Sequence, residues 1–193
     1  MSIFTVAFYS KDVKQMIAII SDKIDHSKVS VTFLLNEIIQ QCVGLHNRHM
    51  NVILWSDGPS SQFKNRFMYH YLSALRENHG LPSLSWNFFA ASHGKSSVDG
   101  VGGTLKRIVW NRVRARTEIV RNSKEFFEAA KKYCSGIDLV YADSEEIDYF
   151  YSRIKNDLAS SCKVPGIQSD HHWLVTENDK FRCNLTPDFL SHS

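Results

Sequence analysis

Residues Trp55 to Arg107 read WSDGPSSQFKNRFMYHYLSALRENHGLPSLSWNFFAASHGKSSVDGVGGTLKR, and the alternation inside that stretch decides the fold class. It is entered from the apolar run NVILW (Asn51–Trp55), which has the length and branching of a buried strand and stops at Ser56, Asp57, Gly58 and Pro59. From Ser60 to Asn78, Phe63, Phe67, Tyr71, Ala74 and Leu75 recur on one helical face, and Gly80 and Pro82 end that helix. LSWNFFA (Leu84–Ala90) is a second strand, followed by a glycine-rich turn from Ser92 to Gly103 and a helix from about Thr104 to Val120. This order favours a largely parallel sheet with helices on its faces. Ligands of such sheets bind outside the carboxyl ends of strands, where Asp57 and His93 fall.

Upstream, IFTVAFY (Ile3–Tyr9) and QMIAIIS (Gln15–Ser21) form a hairpin or neighbouring strands, apolar enough for burial on both faces. Asp25, His26 and Ser27 offer cap chemistry before an amphipathic helix from Val29 to Cys42. Downstream come a helix at Ser123–Tyr133, a strand at Ile137–Ala142 and a helix from Ser144 to about Leu158. A terminal hairpin of Trp173–Val175 with Phe181–Leu185 closes the chain.

With 193 residues, 43% of them hydrophobic, the chain builds a real core, and a net charge of +3 names no partner. The distribution of charge says more. From His93 to Cys134 there are ten basic and four acidic side chains, so the rest of the chain carries about −3. Such a segment faces a polyanion or is simply a solvated helix surface. Cys42, Cys134, Cys162 and Cys183 form no CxxC pair, which leaves buried free thiols rather than a zinc or redox motif. The N-terminus has no secretory-signal pattern and no apolar run is long enough to span a bilayer, so an intracellular protein without a membrane partner is expected.

The chemistry concentrates at two places. The strand before Ser56-Asp57-Gly58 delivers a carboxylate that binds a hard cation or caps the next helix. His93 to Gly103 packs a base, a cation and a carboxylate (His93, Lys95, Asp99) among four glycines, without Walker A or dinucleotide-binding spacing. Lys64, Asn65, Arg66, Lys106 and Arg107 flank the same sheet edge, as a phosphodiester substrate over a metal would require. Asp22, Asp25 and His26 form a third polar cluster that reads as helix caps at least as well as ligands, and Trp55, Phe63, Trp86 and Phe88 read as core rather than stacking platforms.

WSDGPSSQFKNR (Trp55–Arg66), WNFFAASHGK (Trp86–Lys95), VDGVGGTLKR (Val98–Arg107) and ISDKIDH (Ile20–His26) together resemble a widespread family of uncharacterised, transposon-encoded proteins of animal genomes. The resemblance covers roughly Ile3 to Tyr133. It implies a transposase-like ribonuclease H-like three-layer α/β core, a mixed sheet flanked by helices, over residues 1–142. A C-terminal helix and hairpin extension would occupy residues 143–193. On that mapping Asp57 is the second and Asp99 the third catalytic acid, both ligands of Mg²⁺ or Mn²⁺, with His93 beside them. The first acid of such a core lies on a strand upstream of Ile3–Tyr9 and has no counterpart in this sequence, which implies a degenerate site of weak or no activity.

Three functions therefore stand open. The first is a transposase-derived nucleic-acid-binding domain, with Lys64, Asn65, Arg66, Lys95, Lys106 and Arg107 on DNA or RNA and a nuclear location if the partner is DNA. The second is a non-catalytic interaction module, including self-association through an exposed sheet edge. The third is a metal-dependent phosphohydrolase with His93 as general base.

Overall fold

The computed structural model describes residues 1–11, 13–24, 28–45, 50–89 and 97–177, with Leu45, Ser97 and Asp99 described by backbone alone. In chain order the elements are β1 (Ser2–Tyr9), β2 (Lys14–Ser21), α1 (Lys28–Leu45), β3 (Val52–Ser56), α2 (Arg66–Asn78), β4 (Ser83–Phe88), α3 (Ser97–Arg114), α4 (Ser123–Tyr133), β5 (Asp138–Ala142), α5 (Ser144–Ala159) and β6 (His172–Thr176). The chain is a mixed α/β protein of two compact units that interleave in sequence. One unit comprises Met1–Glu37 with Ser92–Ser152, the other Ile38–Ala91 with Arg153–Ser193.

In the first unit β2 is the central strand of the order β1-β2-β5, antiparallel to β1 from Ser2↔Ser21 to Tyr9↔Lys14 and parallel to β5 from Ile17↔Asp138 to Ser21↔Ala142. Its centrality explains its composition. Ile17, Ile19 and Ile20 are fully buried, each stabilising by about 1.5–3 kcal/mol through removal of its side chain from water. β1, at the sheet edge, is only half-buried, so its apolar run is covered less than its hydrophobicity suggests. Ala18 and Ile20 of β2 share a core with Val101, Leu105 and Val109 of α3 and Phe126 of α4.

In the second unit β4 is central. β3 runs parallel to it from Val52↔Leu84 to Ser56↔Phe88, and β6 antiparallel from Ser83↔Thr176 to Asn87↔His172. One face of this sheet is an aromatic core: Trp173 meets the rings of Phe88 at 4.7 Å, Tyr69 of α2 at 5.2 Å and Trp86 at 6.0 Å in edge-on geometry. Each sheet holds one parallel and one antiparallel pair, so the largely parallel sheet expected from strand–helix alternation is not what forms. The β1–β2 hairpin and the antiparallel return of β6 are the reason. β6 occupies the first arm of the expected terminal hairpin but pairs with β4; the second arm, Phe181–Leu185, lies outside the described residues.

The largest departures from the sequence reading are at three boundaries. α2 begins at Arg66 rather than Ser60, because the Pro59 carbonyl gathers the N–H groups of Gln62 and Phe63 in a turn and Asn65 caps the helix. α3 begins at Ser97, so Gly100, Gly102 and Gly103 are helical rather than part of a turn. Burial of Val101 and Leu105 outweighs a helix cost of about 1 kcal/mol per glycine. α3 ends at Arg114 instead of continuing to Val120, and Arg116 just beyond takes a left-handed φ of 57°. Among the described residues no helix is long and apolar enough to cross a membrane. Of the thiols, Cys42 is buried, which pushes its pKa up to about 11, whereas Cys134 is half-buried and Cys162 exposed, against the expectation of uniform burial. Cys183 lies outside the described residues.

Candidate nucleic-acid interface

The turn after β3 is built on hydrogen bonds from its own sheet. Trp86 Nε1 donates to Ser56 Oγ at 2.9 Å, Ser56 Oγ donates to the Asp57 carbonyl at 2.8 Å, and the Phe89 N–H donates to the Ser56 carbonyl at 3.0 Å. These bonds hold the backbone that presents Asp57, whose exposed carboxylate has no partner among the described residues. Gly58 is closely approached by a side chain: a Cβ there would lie 2.9 Å from Lys64 Cε, so the lysine stem would have to shift.

Lys64, expected as a phosphate contact, is buried. Only 6% of it is exposed, its ammonium donates to the Gln168 carbonyl at 3.4 Å, and it sits 5.0 Å from the centre of the Phe88 ring. Asn65 is likewise committed inward. Its Oδ1 accepts the Met68 N–H at 3.1 Å, while Nδ2 donates to the carbonyls of Ser60 at 3.1 Å and Gln62 at 3.3 Å. Arg66 is half-buried with its guanidinium 4.9 Å from the Phe67 ring. Trp55, expected in the core, is 60% exposed and stacks on Phe89 at 5.4 Å.

His93 and Lys95 lie outside the described residues, and Asp99 is described only as a backbone position in the first turn of α3. Asp57 and Asp99 belong to different compact units. Among the described residues no group of three His, Cys, Asp or Glu side chains could hold a metal ion. A two-metal centre needs several anionic ligands around both ions. Of the ligands expected for it, only the Asp57 side chain is among the described residues.

α3 presents cations to solvent on one side. Val101, Leu105 and Val109 turn one side into the core, and Lys106, Arg107, Trp110, Asn111 and Arg114 occupy the exposed side. An open depression of about 530 Å³ is lined there by Arg107, Trp110, Asn111, Val113 and Arg114. The other cations of the basic segment are partly used in packing. Arg112 lies 4.4 Å from the Tyr133 ring centre and Lys131 lies 5.9 Å from that of Phe127. Lys132 and the Tyr133 hydroxyl both donate to Glu118 Oε1 at 2.7 Å. Those two bonds hold the Glu118 carboxyl below its usual range, and the Glu118 bond raises Lys132 above its own. Lys106, Arg107 and Arg114 make no ion pair among the described residues.

Residues 1–186 match the family described as a domain of unknown function, DUF8701. The chain belongs to that family. No curated protein and no solved structure matches it.

Two features of this DUF8701 chain escaped the sequence reading. One is Trp110, whose place three residues after Arg107 and four before Arg114 puts all three on one stripe of an α-helix. The second is at the carboxyl ends of the parallel β2–β5 pair, where Ser144 Oγ donates to Asp22 Oδ2 at 3.1 Å and Lys23 pairs with Asp148. The sequence suggests a cap or a ligand at Asp22, and its hydrogen-bond partner comes from a residue 122 positions away. Asp25 and His26 lie outside the described residues.

Proposed function

We propose that this chain is a transposase-derived nucleic-acid-binding domain whose binding surface is the exposed side of α3. One observation carries the reading: Lys106, Arg107 and Arg114 face solvent on a single helix without acidic partners among the described residues. Unneutralised cations on one face suit a phosphate backbone, which offers evenly spaced negative charge. The parallel β3–β4 pair, with Asp57 directly after β3 and Asp99 in the helix after β4, supports descent from a ribonuclease H-like core. In this reading the Asp57 and Asp99 metal site for Mg²⁺ or Mn²⁺ is degenerate, and strand cleavage is weak or lost.

The test is binding of labelled DNA at several salt concentrations by the wild type and by the triple variant Lys106→Ala/Arg107→Ala/Arg114→Ala. The expected result is an affinity that falls linearly on logarithmic axes with salt, and a triple variant whose slope is shallower by up to about three. An unchanged slope overturns the reading. A parallel cleavage assay with Mg²⁺ or Mn²⁺ addresses the metal site, since activity that survives Asp57→Ala and Asp99→Ala removes both from any mechanism.

A further inference from the structure

We infer that the exposed side of α3 takes single-stranded nucleic acid, with one base stacked on Trp110 and the adjoining phosphates held by Arg107 and Arg114. The inference rests on the nucleic-acid reading above and specifies the form of its ligand. Trp110 is 59% exposed and, unlike Trp55 against Phe89, stacks on no other ring among the described residues. Trp86 and Trp173 are buried in the aromatic core of the second unit.

The neighbours of Trp110 define what would lie on it. Arg107 and Arg114 are two helical turns apart, about 10 Å along the axis, with Trp110 between them on the same stripe. Both guanidinium groups are without acidic partners among the described residues, so the charge complementary to this stripe is negative on both sides of an aromatic face. Asn111 adds an amide that both donates and accepts at the edge of whatever stacks there. A chain that alternates planar rings with anions matches this pattern. In a duplex the ring faces are hidden by stacking, whereas a single strand exposes them, and base–aromatic stacking of this kind tolerates any base.

The experiment uses the full chain carrying Trp55→Phe, so that the exposed indole signal belongs to Trp110. Fluorescence and anisotropy titrations compare oligothymidylate with a mixed-sequence duplex of equal length. The expected result is quenching of Trp110 by oligothymidylate and tighter binding of the single strand. Trp110→Ala then weakens single-strand binding at least about fivefold with less than about a twofold effect on duplex, while Trp110→Tyr restores most of it. Arg107→Ala and Arg114→Ala weaken both ligands. Single-strand affinity unchanged by Trp110→Ala, with Arg107→Ala and Arg114→Ala still weakening binding, overturns the stacking inference and leaves the nucleic-acid reading standing. Absence of binding to either ligand at low salt by a chain with native circular dichroism overturns both.

Discussion

Trp86 donates its indole N–H to Ser56 Oγ at 2.9 Å, which ties the last residue of β3 to the middle of β4 just before the chain presents Asp57. Trp86 is almost wholly buried, and Ser56 Oγ is the acceptor its indole N–H meets. Ser56→Ala therefore leaves a buried N–H unpaired and is expected to cost about 1–3 kcal/mol. Urea unfolding followed by circular dichroism checks it; an unchanged midpoint would mean that the bond contributes nothing.

Asn65 carries three side-chain hydrogen bonds at the start of α2. Asn65→Ala removes the cap and both turn bonds, with an expected loss of about 1–2 kcal/mol. Asn65→Asp keeps an oxygen for the Met68 N–H but has no donor for Ser60 and Gln62, so its loss should be smaller. Nucleic-acid affinity of either folded variant should match the wild type. A fall in affinity without a fall in stability would reinstate Asn65 as a contact residue.

Much of the fold was legible because local pattern and burial agree. The run Gln15–Ser21 reads as a strand and is the buried centre of its sheet, and Ser123–Tyr133 reads as a helix over the span it adopts, with Asn122 accepting the Glu125 N–H. What stayed hidden depends on partners distant in sequence. Nothing local to Gly100, Gly102 and Gly103 announces a helix; the core that Val101 and Leu105 enter does. Lys64 looks like a solvent cation until Phe88 and Gln168 close over it. The location of Asp57 past a strand end was readable, whereas the commitment of Lys64 and Asn65 to the turn beside it was not, because that turn is organised by the Pro59 carbonyl.

The contact between Gly58 and Lys64 yields a coupling that a single variant cannot reveal. Gly58→Ala puts a methyl group 2.9 Å from Lys64 Cε and forces the lysine stem to move, at an expected cost of about 1 kcal/mol. Truncating the lysine removes the obstacle. In the double variant Gly58→Ala/Lys64→Ala the glycine substitution should add little to the loss caused by Lys64→Ala alone, a non-additivity that a double-mutant cycle reads directly. Strict additivity would show that Lys64 does not pack beneath the turn. The salt slope of DNA binding should be unchanged in Lys64→Ala, in contrast to Lys106→Ala, where it should fall by about one.

Glu118 makes stability depend on pH in a direction fixed by its partners. Lys132 and Tyr133 donate to its carboxylate and depress its folded-state pKa below 4.5, while the same contact raises Lys132 above 10.5. A depressed carboxyl contributes stability that is present above its unfolded pKa and lost as pH falls through the folded one. A raised amine contributes stability that is present below its unfolded pKa and lost as pH rises through the folded one. The wild type should therefore melt above Glu118→Gln near about pH 7, and the gap should narrow from below 4.5 downward and again above 10.5. Thermal unfolding of both proteins across that range checks the two limits. A gap that persists unchanged into acid would show that the carboxylate form of Glu118 is not what the lysine and the tyrosine recognise. Added salt should shrink the gap at neutral pH, since the pair is reached by solvent.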